Sequence, residues 1–224
     1  MLTPSKILTT GALLLSASFQ IHAHGVWLEQ GTDNSVKVFY GEPGEPESGD
    51  AINNLKTAKV YVSDISTTYP ISQEADYWET TVTEDGDVRL YTADVWQPWE
   101  MGSSQWWKFW EEAPLQGAIV EAKLGRSETT PKMILEFVPT SANSDEFTLV
   151  FEGKPVVNAS YWIVPPGGEE TEMKTDENGK LTVDTTKEGQ YMLIGLNTVD
   201  RAAQHSGKEV ASLMYISSLT FVSE

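Results

Sequence analysis

Phe147-Thr148-Leu149-Val150-Phe151, Gly153-Lys154-Pro155-Val156 and Tyr161-Trp162-Ile163-Val164 read as a strand, a turn and a second strand. β-Branched and aromatic side chains alternating with polar ones suit a pleated, half-buried surface. Pro165-Pro166-Gly167-Gly168 closes the second strand, because proline cannot donate to a ladder. Farther on, Asn178-Gly179 offers a tight turn between Met173-Lys174 and Leu181-Thr182-Val183. Gly189-Gln190-Tyr191-Met192-Leu193-Ile194 and Leu213-Met214-Tyr215-Ile216-Ser217-Ser218-Leu219-Thr220-Phe221-Val222 complete the set. Short, evenly spaced strands with no amphipathic helix between them predict a small antiparallel sandwich. Alternation places Trp162, Tyr191, Leu193, Leu219 and Phe221 in its core. With strands and turns locally complete, residues 147–224 are expected to fold as a separate unit.

Working outward, Val36-Lys37-Val38-Phe39-Tyr40, Ala58-Lys59-Val60-Tyr61-Val62 and Val88-Arg89-Leu90-Tyr91-Thr92 repeat the strand pattern in the N-terminal half. Asp85-Gly86, between Thr80-Thr81-Val82 and Val88-Arg89-Leu90, predicts a hairpin. Residues 41–50, with Pro and Gly every few positions, read as a loop. Polar and small residues from Ser141 to Glu146 suggest a domain boundary. The predicted fold is all-β, with two antiparallel β-sandwich domains of immunoglobulin-like or transthyretin-like type. These are an N-terminal β-rich domain over 24–140 and a C-terminal transthyretin-like sandwich over 141–224.

Residues 1–23 read as a signal peptide: a short basic start at Lys6, an apolar stretch centred on Leu13-Leu14-Leu15, and Ile21-His22-Ala23 before the cut. A cut after Ala23 leaves His24 first; an earlier cut near Ser16-Ala17-Ser18 is the alternative. The export address predicts a periplasmic or secreted protein. Later apolar runs are broken by charge, Gly or Pro, so no membrane span is expected in the mature chain. The formal net charge of -18 becomes -19 when residues 1–23, with one Lys and no acid, are removed. A field of that sign repels nucleic acid and attracts cations. With no cysteine in the chain, disulfides, thiolate metal sites and lipid anchoring on cysteine are excluded.

The segments Gly153-Lys154-Pro155-Val156-Val157-Asn158-Ala159, Thr175-Asp176-Glu177-Asn178-Gly179 and Gly189-Gln190-Tyr191 resemble a carboxypeptidase-regulatory-like or transthyretin-like β-sandwich, a module with no catalysis of its own. With Ala23-His24-Gly25-Val26-Trp27-Leu28-Glu29, Ile134-Leu135-Glu136-Phe137-Val138-Pro139 and Ser217-Ser218-Leu219-Thr220-Phe221, the whole mature chain is similar to a domain-of-unknown-function family described as a periplasmic component of nickel/cobalt transport (NikM-like). The segment 94–132 departs from that pattern. The resemblance implies metal handling beside a membrane metal transporter.

Of the three histidines, His22 is lost with the leader, which leaves His24 and His205 as candidate metal ligands. A free α-amine and the imidazole of the same residue chelate together, and a second imidazole makes a nitrogen site suited to Cu(II) and acceptable to Ni(II) or Co(II). The alternative is that His24 merely begins a strand and His205 sits in a polar surface loop. An N-terminal His followed by Gly25 also resembles copper-dependent polysaccharide monooxygenases, over two residues only. Five of the eight tryptophans lie in 96–110, a stretch that could pack, dock a partner or stack on sugars. Met101, Met133, Met173, Met192 and Met214 are unclustered, and Glu42, Glu45, Glu47 and Asp50 lack the spacing of a calcium loop. Hydrolytic motifs are missing, so the chain reads as a non-enzyme. A metal-binding or metal-delivery protein ranks first, a structural or partner-binding envelope protein second, and an oxidative copper enzyme third.

Overall fold

The computed structural model describes residues 24–101 and 113–224. The expected leader and Trp106, Trp107 and Trp110 lie outside these residues. The fold is an all-β sandwich, and its organising element is an eight-stranded middle sheet. Across that sheet the order is Thr171–Lys174, Ser160–Val164, Gly189–Val199, Ser212–Ser223, Leu115–Leu124, Val88–Thr92 and Lys59–Tyr61, with Trp99–Glu100 also on Leu115–Leu124. All of its joins are antiparallel except one: Ser212–Ser223 runs parallel to Leu115–Leu124, with Ser217 beside Glu121. These two strands are buried along nearly their whole length because an outer sheet covers each face.

On one face lies the sheet built on Gly25–Gln30, Ser35–Glu42, Trp78–Thr81 and Ser72–Gln73. Val26, Leu28, Val36 and Val38 from it meet Val88, Leu90, Val120, Ala122 and Ile216 of the middle sheet. The 3-10 helix Gly49–Leu55 adds Ile52 and Leu55. The other face receives Leu135–Pro139, Glu146–Phe151, Lys154–Pro155 and Lys180–Thr182. Leu135, Phe137, Phe147 and Leu149 from that sheet pack on Tyr161, Tyr191, Leu193, Leu219 and Phe221.

Two sandwiches therefore share one sheet, and the chain does not part at residue 141. Leu135–Pro139 and Glu146–Phe151 pair with each other, Pro139 opposite Phe147, so the expected boundary is the turn of a hairpin. The hairpin expected at Asp85-Gly86 is a crossover instead. Trp78–Thr81 joins the outer sheet while Val88–Thr92 joins the middle one. At the crossover the Asp87 carboxylate accepts hydrogen bonds from the Ser127 and Glu128 backbone and the Ser127 hydroxyl. At Asn178-Gly179 the turn forms locally, with Asp176 Oδ1 accepting from the Asn178 and Lys180 backbone N–H groups. Its flanking strands nevertheless belong to different sheets.

Tyr191, Leu193, Leu219 and Phe221 are core residues as expected, but Tyr161 rather than Trp162 faces that core. The phase is fixed by pairing Tyr161 with Gly195, whose missing side chain leaves room for the Phe137 ring. In the 41–50 segment, Glu45–Pro46 folds back on Gly41–Glu42 before the 3-10 helix begins. Among the described residues no helix is long and apolar enough to cross a membrane.

Candidate functional site

His24 immediately precedes the Gly25–Gln30 strand, whose Gly25 pairs with Gly41 on the neighbouring strand. The chain returns past Gly41 because Glu47 N–H donates to the Tyr40 carbonyl at 2.8 Å. That return needs a glycine: Gly41 has φ of 139°, and a Cβ there would lie 2.8 Å from the Glu47 nitrogen. The consequence is that Glu47 reaches His24, with Nε2 to Oε1 at 2.9 Å and both side chains partly exposed. The imidazole also lies 5.5 Å, centroid to centroid, from the ring of Tyr40, whose hydroxyl accepts from Trp96 Nε1–H at 3.1 Å. Burial holds the Tyr40 phenol above its usual pKa, so it stays neutral. A carboxylate only accepts, so Nε2 is the donor of this contact, and in the neutral imidazole that leaves the lone pair on Nδ1.

His205 has different surroundings. It ends the Ala203–His205 strand, which turns through Ser206-Gly207 and pairs with Lys208–Val210. It is buried, not on a polar surface loop. Its ring lies on Gly117, where an added Cβ would sit 2.7 Å from the imidazole Cγ. Burial pushes its pKa down, opposed by the Asp94 carboxylate and a hydrogen bond with the Trp96 backbone. Nε2 is buried without a partner. Among the described residues no group of three or more His, Asp or Glu stands close enough together to hold a metal ion. The Ser206-Gly207 turn and the single glycine, Gly117, in the Leu115–Leu124 strand were the sequence signals that could have placed His205 in the interior.

A second concentration of chemistry lies between the middle sheet and the Leu135–Pro139 strand. Sequence reading passes over it because its members look like the wet faces of strands. Arg89, Lys123, Glu136, Asp87 and Glu121 are all buried. Lys123 Nζ contacts Glu136 at 3.0 Å and Asp87 at 3.2 Å, and donates toward the Phe137 carbonyl. Arg89 donates to Glu136 Oε1 through Nε and Nη2, and through Nη1 to Glu128 and the Val62 and Asp87 carbonyls. Glu136 Oε2 accepts from the Lys132 and Met133 backbone. Although burial alone would raise it, the Lys123 and Arg89 charges and these hydrogen bonds hold the Glu136 carboxyl below its usual range.

Glu121 is the exception in the group. Its oxygens accept from the Ile134 and Leu135 backbone N–H groups, but burial dominates and pushes its pKa up to about 7. A larger open cleft at the other end of the sandwich holds Arg126, which is already paired with Asp145 and lies over the Phe221 ring.

No family model matches the chain, and no curated protein is similar to it. A structural search returns a Bacteroides ovatus mixed-linkage glucan utilization locus protein, SGBP-B, in complex with a mixed-linkage heptasaccharide. It is 14% identical, with a TM-score of 0.16 over 86% of this chain and 46% of that one. The chain spans less than half of that protein's length, and a likeness so slight carries no argument about fold or function.

Proposed function

We propose that the mature chain is an exported, non-catalytic protein that binds one transition-metal ion through His24, in the service of metal uptake or delivery beside a membrane transporter. The observation that carries this reading is the 2.9 Å contact from His24 Nε2 to Glu47. A ring nitrogen held by a carboxylate is the usual arrangement behind a metal-ligating imidazole, because it orients the ring and raises the basicity of the other nitrogen. Once the chain begins at His24, Nδ1 and the α-amine of the same residue form a chelate open to Cu(II), Ni(II) or Co(II). The acidic surface, at formal charge -18 over the full sequence, favours cations around it. This reading does not call on His205, whose ring packs on Gly117.

Metal titration of the mature chain by calorimetry tests the reading. His24→Ala, or one extra residue before His24, is expected to abolish tight binding. Glu47→Gln is expected to weaken it by about 10- to 100-fold. Metal affinity falls as pH drops through the range where imidazole and amine are protonated. His205→Ala leaves affinity unchanged. Undiminished binding in the chain with an added N-terminal residue would falsify the chelate.

A further inference from the structure

The middle sheet has a cleft on the face it turns toward the Leu135–Pro139 sheet. It is about 430 Å³, within the size range of small-molecule sites, and Glu121 lies in its lining. Tyr91 stands directly opposite Glu121 on the neighbouring strand, Tyr61 lies one strand farther out opposite Arg89, and Ile65, Pro131 and Ile134 supply an apolar rim. Of these, Ile65 stands out in solvent at 39% exposure. The carboxylate has two backbone donors, from Ile134 and Leu135, and among the described residues no cationic side chain is bonded to it. Arg89 and Lys123, the nearby buried cations, are taken up by Glu136, Glu128 and Asp87. The cleft is therefore a place where an apolar wall meets a buried acid that lacks a counter-ion.

We propose that this cleft binds a small organic cation, an ammonium group on a compact apolar body, with Glu121 as its counter-ion. An ammonium supplies the missing positive charge and can donate to the lone pairs that the two backbone groups leave free. Tyrosine rings favour a cation and disfavour an anion. The apolar rim then buries the body of the ligand and adds affinity in proportion to the area removed from water. A bare metal ion suits the site poorly, since among the described residues no three ligating side chains gather.

Binding is coupled to a proton. The ionisable groups around Glu121 are Tyr61 and Tyr91 on the middle sheet, Tyr215 on the Ser212–Ser223 strand and Glu136 on the outer sheet. Lys132 and Glu152 stand in the cleft lining. All three tyrosines are raised above their ordinary values and remain neutral, so the titrating partner near neutrality is Glu121 itself, at about 7. An ammonium meets the carboxylate form, so affinity climbs by up to about tenfold per pH unit below that value and levels off above it.

The experiment uses the full chain and benzylamine as the probe, with benzyl alcohol as its uncharged match, by calorimetry at about pH 6 and about pH 8. Benzylamine should bind about tenfold more tightly at the higher pH, and benzyl alcohol at least about tenfold more weakly than benzylamine there. Glu121→Gln should lose about tenfold and the pH dependence with it. Ile65→Lys, on an exposed side chain, should cause a similar loss by repulsion without disturbing a buried hydrogen bond, so the test survives if the Glu121 variant does not fold. Absence of benzylamine binding to the folded chain overturns the proposal. So does equal binding of benzyl alcohol, or affinity unchanged in Ile65→Lys. The site is independent of His24, and failure of either leaves the other standing.

Discussion

The two faces of the middle sheet are built from the same strands on opposite principles. On one face Val88, Leu90, Val120 and Ala122 meet Val26, Leu28, Val36 and Val38 of an outer sheet, and among the described residues no charged side chain belongs to that core. On the other, the alternate residues Arg89, Glu121 and Lys123 lie just as deep, beneath a second outer sheet that brings Glu136. The aliphatic face is held by non-directional burial, which tolerates modest changes in shape. The charged face depends on complete pairing, because an ion taken out of water costs several kcal/mol unless its partners are in place. Within the charged face the contrast sharpens again. Glu136 has two cations and stays ionised, whereas Glu121 has backbone donors alone and holds its proton to about 7.

The largest effect should come from removing the hub of the paired side. Glu136→Ala leaves Arg89 with Glu128 and Lys123 with Asp87 as their remaining carboxylates, and urea denaturation should show a loss of about 4 kcal/mol. A loss under about 1 kcal/mol would mean that water already serves these cations and that the two faces are less different than they look. On the aliphatic face Leu90→Ala should cost about 3 kcal/mol through lost transfer and a residual cavity, with no dependence on pH.

The smallest effect is the most diagnostic. Glu121 holds its proton more tightly folded, at about 7, than its ordinary value of 4.5. Between those values the folded chain binds more protons, so this group's stabilisation is full below the lower value and declines as pH rises through the upper one. Asp87 and Glu136, both lowered, work in the opposite sense: their contribution is present above the ordinary carboxylate range and is lost as pH falls through their folded values. Glu121 should therefore take away about 2 kcal/mol of stability between about pH 5 and about pH 8, while His205, lowered by burial, works in the opposite sense up to the ordinary imidazole value. Glu121→Gln should remove that decline. A decline that persists in this variant would move its origin elsewhere.

Much of the strand pattern was legible. Val88–Thr92 matches its predicted run end for end, and Leu213 to Val222 falls inside Ser212–Ser223. What sequence could not supply was partnership. Asp85-Gly86 and Asn178-Gly179 carry the turn chemistry of hairpins, yet each links strands of different sheets, because local φ preferences do not say which ladder a strand will join. Likewise the polar residues after Ser141 mark a turn whether it ends a domain or a hairpin. At the candidate site, the partly exposed position of His24 agrees with its place at a strand start, but Glu47 comes to it only through the fold-back at Gly41.

The sequence by itself determined the all-β class, the turn positions and which side chains have the chemistry to bind. Backbone sterics and side-chain alternation act over a few residues and so can be read locally. Only the tertiary structure decided that the two halves share one sheet, that Arg89, Glu121 and Lys123 are interior, and that His205 is buried with its ring on Gly117. An alternating strand has the same pattern whether its polar face meets water or a second sheet. Which of these holds depends on partners dozens of residues away, such as Glu136 for Arg89, and is fixed only when the layers stack.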